Sequence, residues 1–211
     1  MTRTGKPGVV AVLLAAALAV GLLTLLVATQ PADAANRFKV VTKTFSNSQP
    51  ITIPSLGQAT PYPSEISIGS AFGRGRIKDV DLTLKNFSHR FEQDVDVLLA
   101  KATTNRTVMS DVNTTSPTTN VTLVLDDEAA NSFPTGSVIL TGGTYKPANF
   151  DGSADVFPAP APTPSGASAL DGFDGKRAQG TWKLFVVDDD TIGEGQFAGG
   201  WSLKIKAKVR R

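Results

Sequence analysis

The chain has 211 residues, with 21 lysines and arginines against 19 aspartates and glutamates, one histidine and no cysteine. This near balance of charge gives no support to nucleic acid or another polyanion as a partner of the chain as a whole. The lack of cysteine excludes disulfides and thiolate metal sites, and a lone histidine is a poor basis for a zinc site.

The first 35 residues have the order of an export signal. Arg3 and Lys6 precede an uncharged apolar run over residues 9–28, and an Ala-Asp-Ala-Ala sequence follows it. Charge, apolar core and small residues in this order predict a secretory signal at 1–35, cleaved after Ala34 or Ala35. The run is also long enough to cross a bilayer, so a retained membrane anchor is the alternative. Residues 36–211 are then one domain, secreted to the extracellular space or held at the cell surface.

Short strands separated by turn signals fill this domain. Alternating or continuous apolar runs predict strands at residues 38–41, 51–54, 66–68, 77–85, 94–100, 121–125 and 137–140. Residues 69–75 predict a glycine loop, and the polar stretch 103–119 predicts a long loop. The proline-rich stretch 157–164 predicts an extended connection on the domain surface, which Leu170 and Phe173 pin back onto the core.

The strongest strand signal lies in the last 40 residues. Residues 180–188 form an apolar run that predicts a strand buried on both faces, whereas residues 201–208 alternate between apolar and polar side chains, as a strand with one wet face does. An acidic, glycine-containing loop separates them, and we expect the two strands to form one hairpin-like unit, with Trp182 and Trp201 facing the core. The basic residues at the C-terminus are expected to protect an exposed strand edge from pairing with other chains.

Seven to nine short strands, with no helical periodicity after residue 35, predict an all-β sandwich. Several motifs in chain order resemble the P domain (Homo B domain) that follows the catalytic domain of subtilisin-like proprotein convertases and bacterial subtilases. These motifs are residues 77–82, 87–91, 94–99, 125–129, 145–147, 180–184 and 199–203.

The resemblance implies a β-jelly roll that stabilises or positions a neighbouring protease. These 211 residues contain no catalytic domain, which is a departure from the usual setting of that family. The chain also lacks the Ser-Pro-x-Gly-Thr turn that commonly follows the strand ending near Leu99.

Catalysis finds little support in the sequence. A serine or cysteine nucleophile needs an adjacent base, and His89 is the only histidine of the chain. His89 stands in a predicted strand or turn, where a histidine is more often a hydrogen-bonded structural residue. We therefore expect a module without enzymatic activity.

Calcium is the cofactor that the acidic residues favour, because hard cations bind several carboxylate and carbonyl oxygens. Three acidic clusters lie at predicted strand ends. Alternation places Asp94 and Asp96, the carboxylates of the first cluster, on one side of their strand. Some bacterial and archaeal relatives that resemble this domain bind calcium structurally, and solvation of turns is the alternative role of these acids. The candidate ligands are Asp94, Asp96, Asp126, Asp127, Asp188 and Asp190.

Two functions remain open at this point, and a third, an enzyme of unfamiliar type, has support only from the acidic clusters. The first is an exported, non-catalytic module that binds or stabilises another protein, with a separately encoded subtilisin-like protease as the candidate partner. The second is a carbohydrate-binding or cell-wall-binding module, which jelly rolls often are. Nucleic acid is not expected as a partner, and a membrane is expected only if the N-terminal apolar segment is retained.

Overall fold

The computed structural model describes residues 37–112, 116–136, 138–150 and 155–211. Within them, two sheets pack face to face, which confirms the predicted all-β sandwich. Eight of the thirteen strands have five residues or more, and the other five are pieces of two or three residues. The strands are β1 (Phe38–Asn47), β2 (Ile51–Ile53), β3 (Gly57–Gln58), β4 (Ser64–Ile68), β5 (Arg76–His89), β6 (Val95–Lys101), β7 (Thr104–Ser110), β8 (Thr118–Leu125), β9 (Gly143–Tyr145), β10 (Ala148–Asn149), β11 (Gly180–Asp188), β12 (Gly195–Phe197) and β13 (Trp201–Arg210).

The first sheet has seven strands and the second has six. In the seven-stranded sheet the order is β1-β13-β5-β12-β2, with β8 on the other side of β5 and β9 beside β8. In the six-stranded sheet the order is β10-β7-β6-β11-β3, and β4 also pairs with β11. The pairs β8–β9 and β7–β10 are parallel, and the other pairs are antiparallel.

The core lies between the two sheets, and both tryptophans are completely buried in it, as the sequence predicted. The indole nitrogen of Trp201 donates a hydrogen bond to the hydroxyl oxygen of Ser64 at 2.9 Å, so it links the two sheets. That of Trp182 donates to the carbonyl oxygen of Ala178 at 2.9 Å. Each indole therefore satisfies its polar group while it contributes a large apolar surface to the core.

The expected hairpin-like unit at the C-terminus is wrong. β11 belongs to the six-stranded sheet and β13 to the seven-stranded sheet. The acidic loop leads from β11 into β12, which pairs with β5 of the seven-stranded sheet, so the chain crosses from one sheet to the other. The alternation of apolar residues identified both strands, but it carries no information about which strands pair.

The predicted long loop over residues 103–119 is also wrong, because β7 runs through it. β6 and β7 form a hairpin with a two-residue turn, in which Ala102 takes the left-handed conformation with a φ of 50°. Glycine or asparagine is the usual residue at such a position, so the turn gave no sequence signal. Val108 and Met109 are buried in the core.

The basic residues near the C-terminus do not lie on a sheet edge, contrary to the expectation. β13 lies between β1 and β5, and it is β1 that ends the sheet. The alternation itself is confirmed, because Leu203, Ile205 and Ala207 are buried whereas the lysines between and after them are exposed. Lys204 forms an ion pair with Asp81 on the neighbouring strand at 2.6 Å.

A strap, defined here as residues 157–173, covers part of the outer face of the six-stranded sheet. Phe157 packs there against Leu98 and Phe185 in a second apolar cluster, separate from the main core. The strap ends in a short 3-10 helix, Leu170–Phe173, whose two apolar ends are buried in the main core. The extended connection and its attachment by Leu170 and Phe173 are thus confirmed.

The predicted buried piece at residues 137–140 is wrong for the residues that the structure describes there. Val138 and Ile139 are exposed and lie outside the strands, and only Leu140 is buried. In the described part of the chain, no helix is long and apolar enough to cross a membrane. The predicted export signal at 1–35 lies outside the described residues.

Candidate functional site

Three aspartates converge at one end of the six-stranded sheet and form a carboxylate triad. Asp96 belongs to β6, Asp111 directly follows β7, and Asp155 precedes the strap. One carboxylate oxygen from each residue lies within 4.8 Å of the other two. Asp96 is only 3% exposed, and the other two are half-buried.

Local backbone geometry brings the triad together. Asp111 has a φ of 52°, a left-handed conformation that aspartate tolerates better than most residues, and it turns the chain at the end of β7. β10 pairs in parallel with the last residues of β7, so that Asn149 stands beside Ser110. The Asn149 amide donates to Asp155 at 2.8 Å, which fixes the third carboxylate.

The hydroxyl of Ser110 lies between two members of the triad. Its oxygen is 2.8 Å from Asp111 Oδ2 and 2.9 Å from Asp155 Oδ1. A hydroxyl has one proton to donate, so it satisfies one of these carboxylates at a time. The negative charge of the triad is therefore only partly compensated by this neighbour.

Burial raises the pKa of Asp96 to about 8, and the nearby carboxylates of Asp155, Asp189 and Asp111 act in the same direction. A hydrogen bond from Ser110 opposes this increase without cancelling it. Three carboxylates this close repel one another when all are ionised. Either a proton on Asp96 or a cation among the three oxygens relieves that repulsion.

The donor set fits a hard cation. All three side chains offer carboxylate oxygens, which calcium binds at roughly 2.3–2.6 Å. Oxygens on opposite sides of one such ion are about 5 Å apart at most, and the separations within the triad fall inside that limit. Asp96, Asp111 and Asp155 are thus the residues that could hold calcium here.

His89 lies at a second charged site, where it joins the two sheets. It ends β5 of the seven-stranded sheet, and its Nε2 lies 3.0 Å from Oδ2 of Asp188, which ends β11 of the six-stranded sheet. Its Nδ1 lies 2.6 Å from the carbonyl oxygen of Phe91. His89 is 3% exposed, so its polar neighbours are protein groups; the contact of Nε2 with Asp188 is a close ion-pair approach without the alignment of a hydrogen bond.

Close packing around His89 explains a glycine of the acidic loop. A Cβ atom at Gly195 would lie 2.2 Å from Cδ2 of the His89 ring and 2.4 Å from the carbonyl oxygen of Ser88. Any larger residue would displace the ring. The loop is therefore glycine-containing because it approaches His89, in addition to the turn geometry that the sequence suggested.

Three of the predicted calcium ligands lie at or beside the His89 pair rather than in the triad: Asp94, Asp188 and Asp190. Burial raises the pKa of Asp188 to about 6, an effect that the backbone N–H of Asp190 and the charge of His89 oppose. Asp94 lies in a 3-10 helix just before β6, is buried, and has a pKa raised mainly by that burial. Asp190 follows β11 in the acidic loop, where its own N–H donates to Asp188 at 3.1 Å.

The remaining two predicted ligands hold turns and the strap. Asp127 accepts hydrogen bonds from the backbone N–H groups of Leu170 at 2.9 Å and Asp171 at 2.7 Å, and it thereby anchors the start of the 3-10 helix of the strap. Asp126 accepts from the N–H of Glu128 at 2.8 Å. These contacts match the alternative reading of the acids as residues that stabilise turns.

The structure brings Asp96 together with two residues that the sequence reasoning missed. Asp111 stands in the polar stretch that was predicted as a loop, and Asp155 stands in the least regular part of the chain. An aspartate directly after a strand was the only local signal for Asp111, and that signal required β7 to be recognised. Asp155 carries no comparable signal, because its position depends on the parallel pair β7–β10.

Comparison of the chain with protein-family models, with curated proteins and with solved structures finds no match. The class of protein that the fold defines is an all-β sandwich.

Proposed function

We propose that this protein is an exported, non-catalytic β-sandwich module, similar to the P domain, that binds or stabilises another protein. A separately encoded subtilisin-like protease is the candidate partner. The observation that carries the non-catalytic part is the sealed environment of His89. The only histidine of the chain is almost completely buried and has protein oxygens within 3.0 Å of both ring nitrogens, so a bound substrate has no access to it.

The carbohydrate-binding alternative has weaker support. Sugar sites commonly present flat aromatic side chains to solvent, because apolar faces of sugars stack on them. Among the described residues, Phe38 and Phe150 are the exposed aromatic side chains, and each is 41% exposed. They lie in or near different sheets, on β1 and just after β10, and do not form one row along a strand.

The partner is tested with residues 36–211, since every strand that the structure describes and both apolar clusters lie within 37–211. This segment is immobilised and used to capture proteins from the culture supernatant of the organism that makes it. We expect a subtilisin-like protease to be retained and its thermal inactivation to slow in the presence of the module. Retention by insoluble cell-wall glycan, with no protein retained, would favour the carbohydrate alternative instead.

We further propose that the module holds one structural calcium ion at Asp96, Asp111 and Asp155. An ion that binds only the folded state raises its free energy of unfolding, by about 2.7 kcal/mol at a hundredfold excess over the dissociation constant. For a domain of this size we expect the melting midpoint to rise by roughly 5–10 °C. Thermal melts in calcium and in chelator measure this difference.

Two substitutions locate the ion. Asp96→Asn is expected to remove most of the calcium-dependent increase, because it deletes a buried charged ligand. Asp126→Asn is the matched control, since its Oδ1 can still accept from Glu128 and the midpoint should respond to calcium as in the wild type. A response that disappears in Asp126→Asn and persists in Asp96→Asn would place the ion elsewhere, and no response in the wild type would exclude the site.

A further inference from the structure

The end of the sandwich that is formed by Phe38, Arg76 and Arg210 carries a basic groove. The groove has a volume of about 590 Å³, within the range of ligand-binding clefts. It lies between the first half of β1, the last residues of β13 and the loop that precedes β5. Six of the residues that line it are cationic: Lys39, Lys43, Arg74, Arg76, Lys208 and Arg210.

The charge of the groove is unbalanced. None of the described residues that line it is acidic, although the chain as a whole is nearly neutral. Other lysines of β13 have carboxylates nearby, as Lys204 has Asp81. Protection of an exposed edge does not explain Lys208 and Arg210, because β13 is covered by β1.

The floor of the groove is apolar. Val41, Phe72 and Val209 contribute to it and are partly or largely buried. On this face, Lys43 Nζ lies 5.9 Å from the ring centroid of Phe72. A second such pair, Lys208 Nζ at 4.8 Å from the ring centroid of Phe38, lies on the outer face of the sheet at the edge of the groove. The groove thus offers a surface for an apolar side chain between positions for negative charges.

A free strand edge lies beside the groove. In the described part of the chain, β1 pairs with β13 on one side and with no strand on the other. Such an edge has backbone N–H and C=O groups available to an extended peptide, the basis of recognition by strand addition. Nucleic acid is less suitable, since single strands depend on stacking against several aromatic rings.

From these features we propose that the basic groove binds an extended acidic peptide segment of the partner protein, in which acidic residues alternate with apolar ones. The inference rests on the proposed protein-binding function and names the surface that carries it. The acidic side chains pair with lysine and arginine at the rim, and the apolar side chains contact Val41, Phe72 and Val209. Arginine is suited to this role because its guanidinium binds a carboxylate through two parallel hydrogen bonds.

The test measures binding of residues 36–211 to a fluorescent peptide as long as β1, in which glutamate alternates with valine. Fluorescence anisotropy gives the dissociation constant at low and at physiological salt. We expect binding that weakens with salt, and we expect little binding of two control peptides, one with glutamine for glutamate and one with serine for valine.

Two triple variants with the same change in net charge assign the site. The groove variant, Lys39→Gln with Lys43→Gln and Arg74→Gln, is expected to bind about tenfold more weakly, because each exposed charge contact contributes about two- to threefold. The control variant, Lys85→Gln with Lys146→Gln and Lys176→Gln, should bind within about twofold of the wild type. Unchanged thermal melts show that both variants fold.

Several results would overturn the groove as the peptide site. These are no binding by the wild type, equal weakening in both triple variants, or equal binding of the glutamine peptide. Binding of vesicles that contain phosphatidylglycerol, with no binding of the acidic peptide, would assign the groove to an anionic membrane.

If the groove variant still captures the partner protein as well as the wild type does, the groove assignment fails while the proposed protein-binding function stands. If the module captures no protein but binds the acidic peptide through the groove, the groove assignment stands and the proposed protein-binding function fails.

Discussion

The outer faces of the two sheets have opposite surroundings. On the six-stranded sheet, the strap covers part of the outer face and buries Leu98 and Phe185 beneath Phe157. On the seven-stranded sheet, the outward residues of β13 after Ser202 are exposed lysines and an arginine. β11 and β13 are both interior strands, so their position within a sheet does not account for the difference.

This difference shows what hydrophobic patterning reports. β11 is apolar at successive positions because both of its faces are covered, one by the opposite sheet and one by the strap. β13 alternates because only its inner face is covered. The apolar pattern of a strand therefore indicates whether one or both of its faces are buried. In β11 the second buried face is covered by the strap, which contains no strand and only a short 3-10 helix.

The largest expected effect comes from removing an apolar side chain on the covered outer face. Phe185→Ala leaves a cavity between β11 and the strap, and we expect the free energy of unfolding to fall by about 3–5 kcal/mol. The matched change on the open face, Lys206→Ala, should alter it by less than about 0.5 kcal/mol. Urea unfolding of both variants measures these values. Similar values for the two would mean that the strap does not seal the outer face of the six-stranded sheet.

The second effect is a pH dependence of the free energy of unfolding, which originates at Asp96 on the outer face of the six-stranded sheet. Burial raises the pKa of Asp96 from 3.8 in the unfolded chain to about 8, so the folded protein binds this proton more tightly. The stabilisation is complete below about pH 4 and is lost as the pH rises through about 8, with a slope of up to about 1.4 kcal/mol per pH unit for one proton. Asp188, with a pKa raised to about 6, acts in the same direction over the lower part of this range.

Unfolding free energies at several pH values in chelator test this dependence. Asp96→Asn should flatten the curve between about pH 6 and 8, since it removes the group that titrates there. It should also be more stable than the wild type at the upper end of that range. An unchanged slope in Asp96→Asn would show that another group is responsible.

The smallest change in the free energy of unfolding is expected on the outer face of the seven-stranded sheet, which the strap does not cover. Lys204→Met removes the ion pair with Asp81, whose carboxylate is largely buried, and should lower the free energy of unfolding by about 1 kcal/mol. Added salt should reduce the difference between wild type and variant, because the lysine end of the pair is exposed to solvent. A loss as large as that of Phe185→Ala would show that the face is less open than the structure indicates.

Much of the fold could be predicted from the sequence, and the candidate site could be predicted only in part. The strands β5, β6, β8, β11 and β13 appear as apolar patterns, and the burial of both tryptophans follows from the same patterns. β7 was missed because Asn105, Thr107 and Ser110 are polar although they are buried. The Asn105 amide donates to the carbonyl oxygen of Thr163 in the strap at 3.0 Å, and the Ser110 hydroxyl contacts Asp111 and Asp155.

The site depends on contacts between residues that are distant along the chain. Asp96 was predicted as a ligand because it lies in an acidic cluster, but the residues beside it in space are Asp111 and Asp155. Asp94, two positions away in sequence, instead lies near the buried pair of His89 and Asp188. Asp94 and Asp96 are therefore close in sequence, but the fold places them in two different charged sites.

By itself, the sequence determined the all-strand class, the two buried tryptophans and the alternation along β13, because each follows from the local period of apolar side chains. Only the tertiary structure decided that β11 and β13 lie in different sheets and that the strap covers part of one outer face. It also decided which carboxylates form the triad and which cations line the basic groove. Pairing between strands is set by backbone hydrogen bonds, which are common to nearly every residue, so the local pattern does not specify the partner.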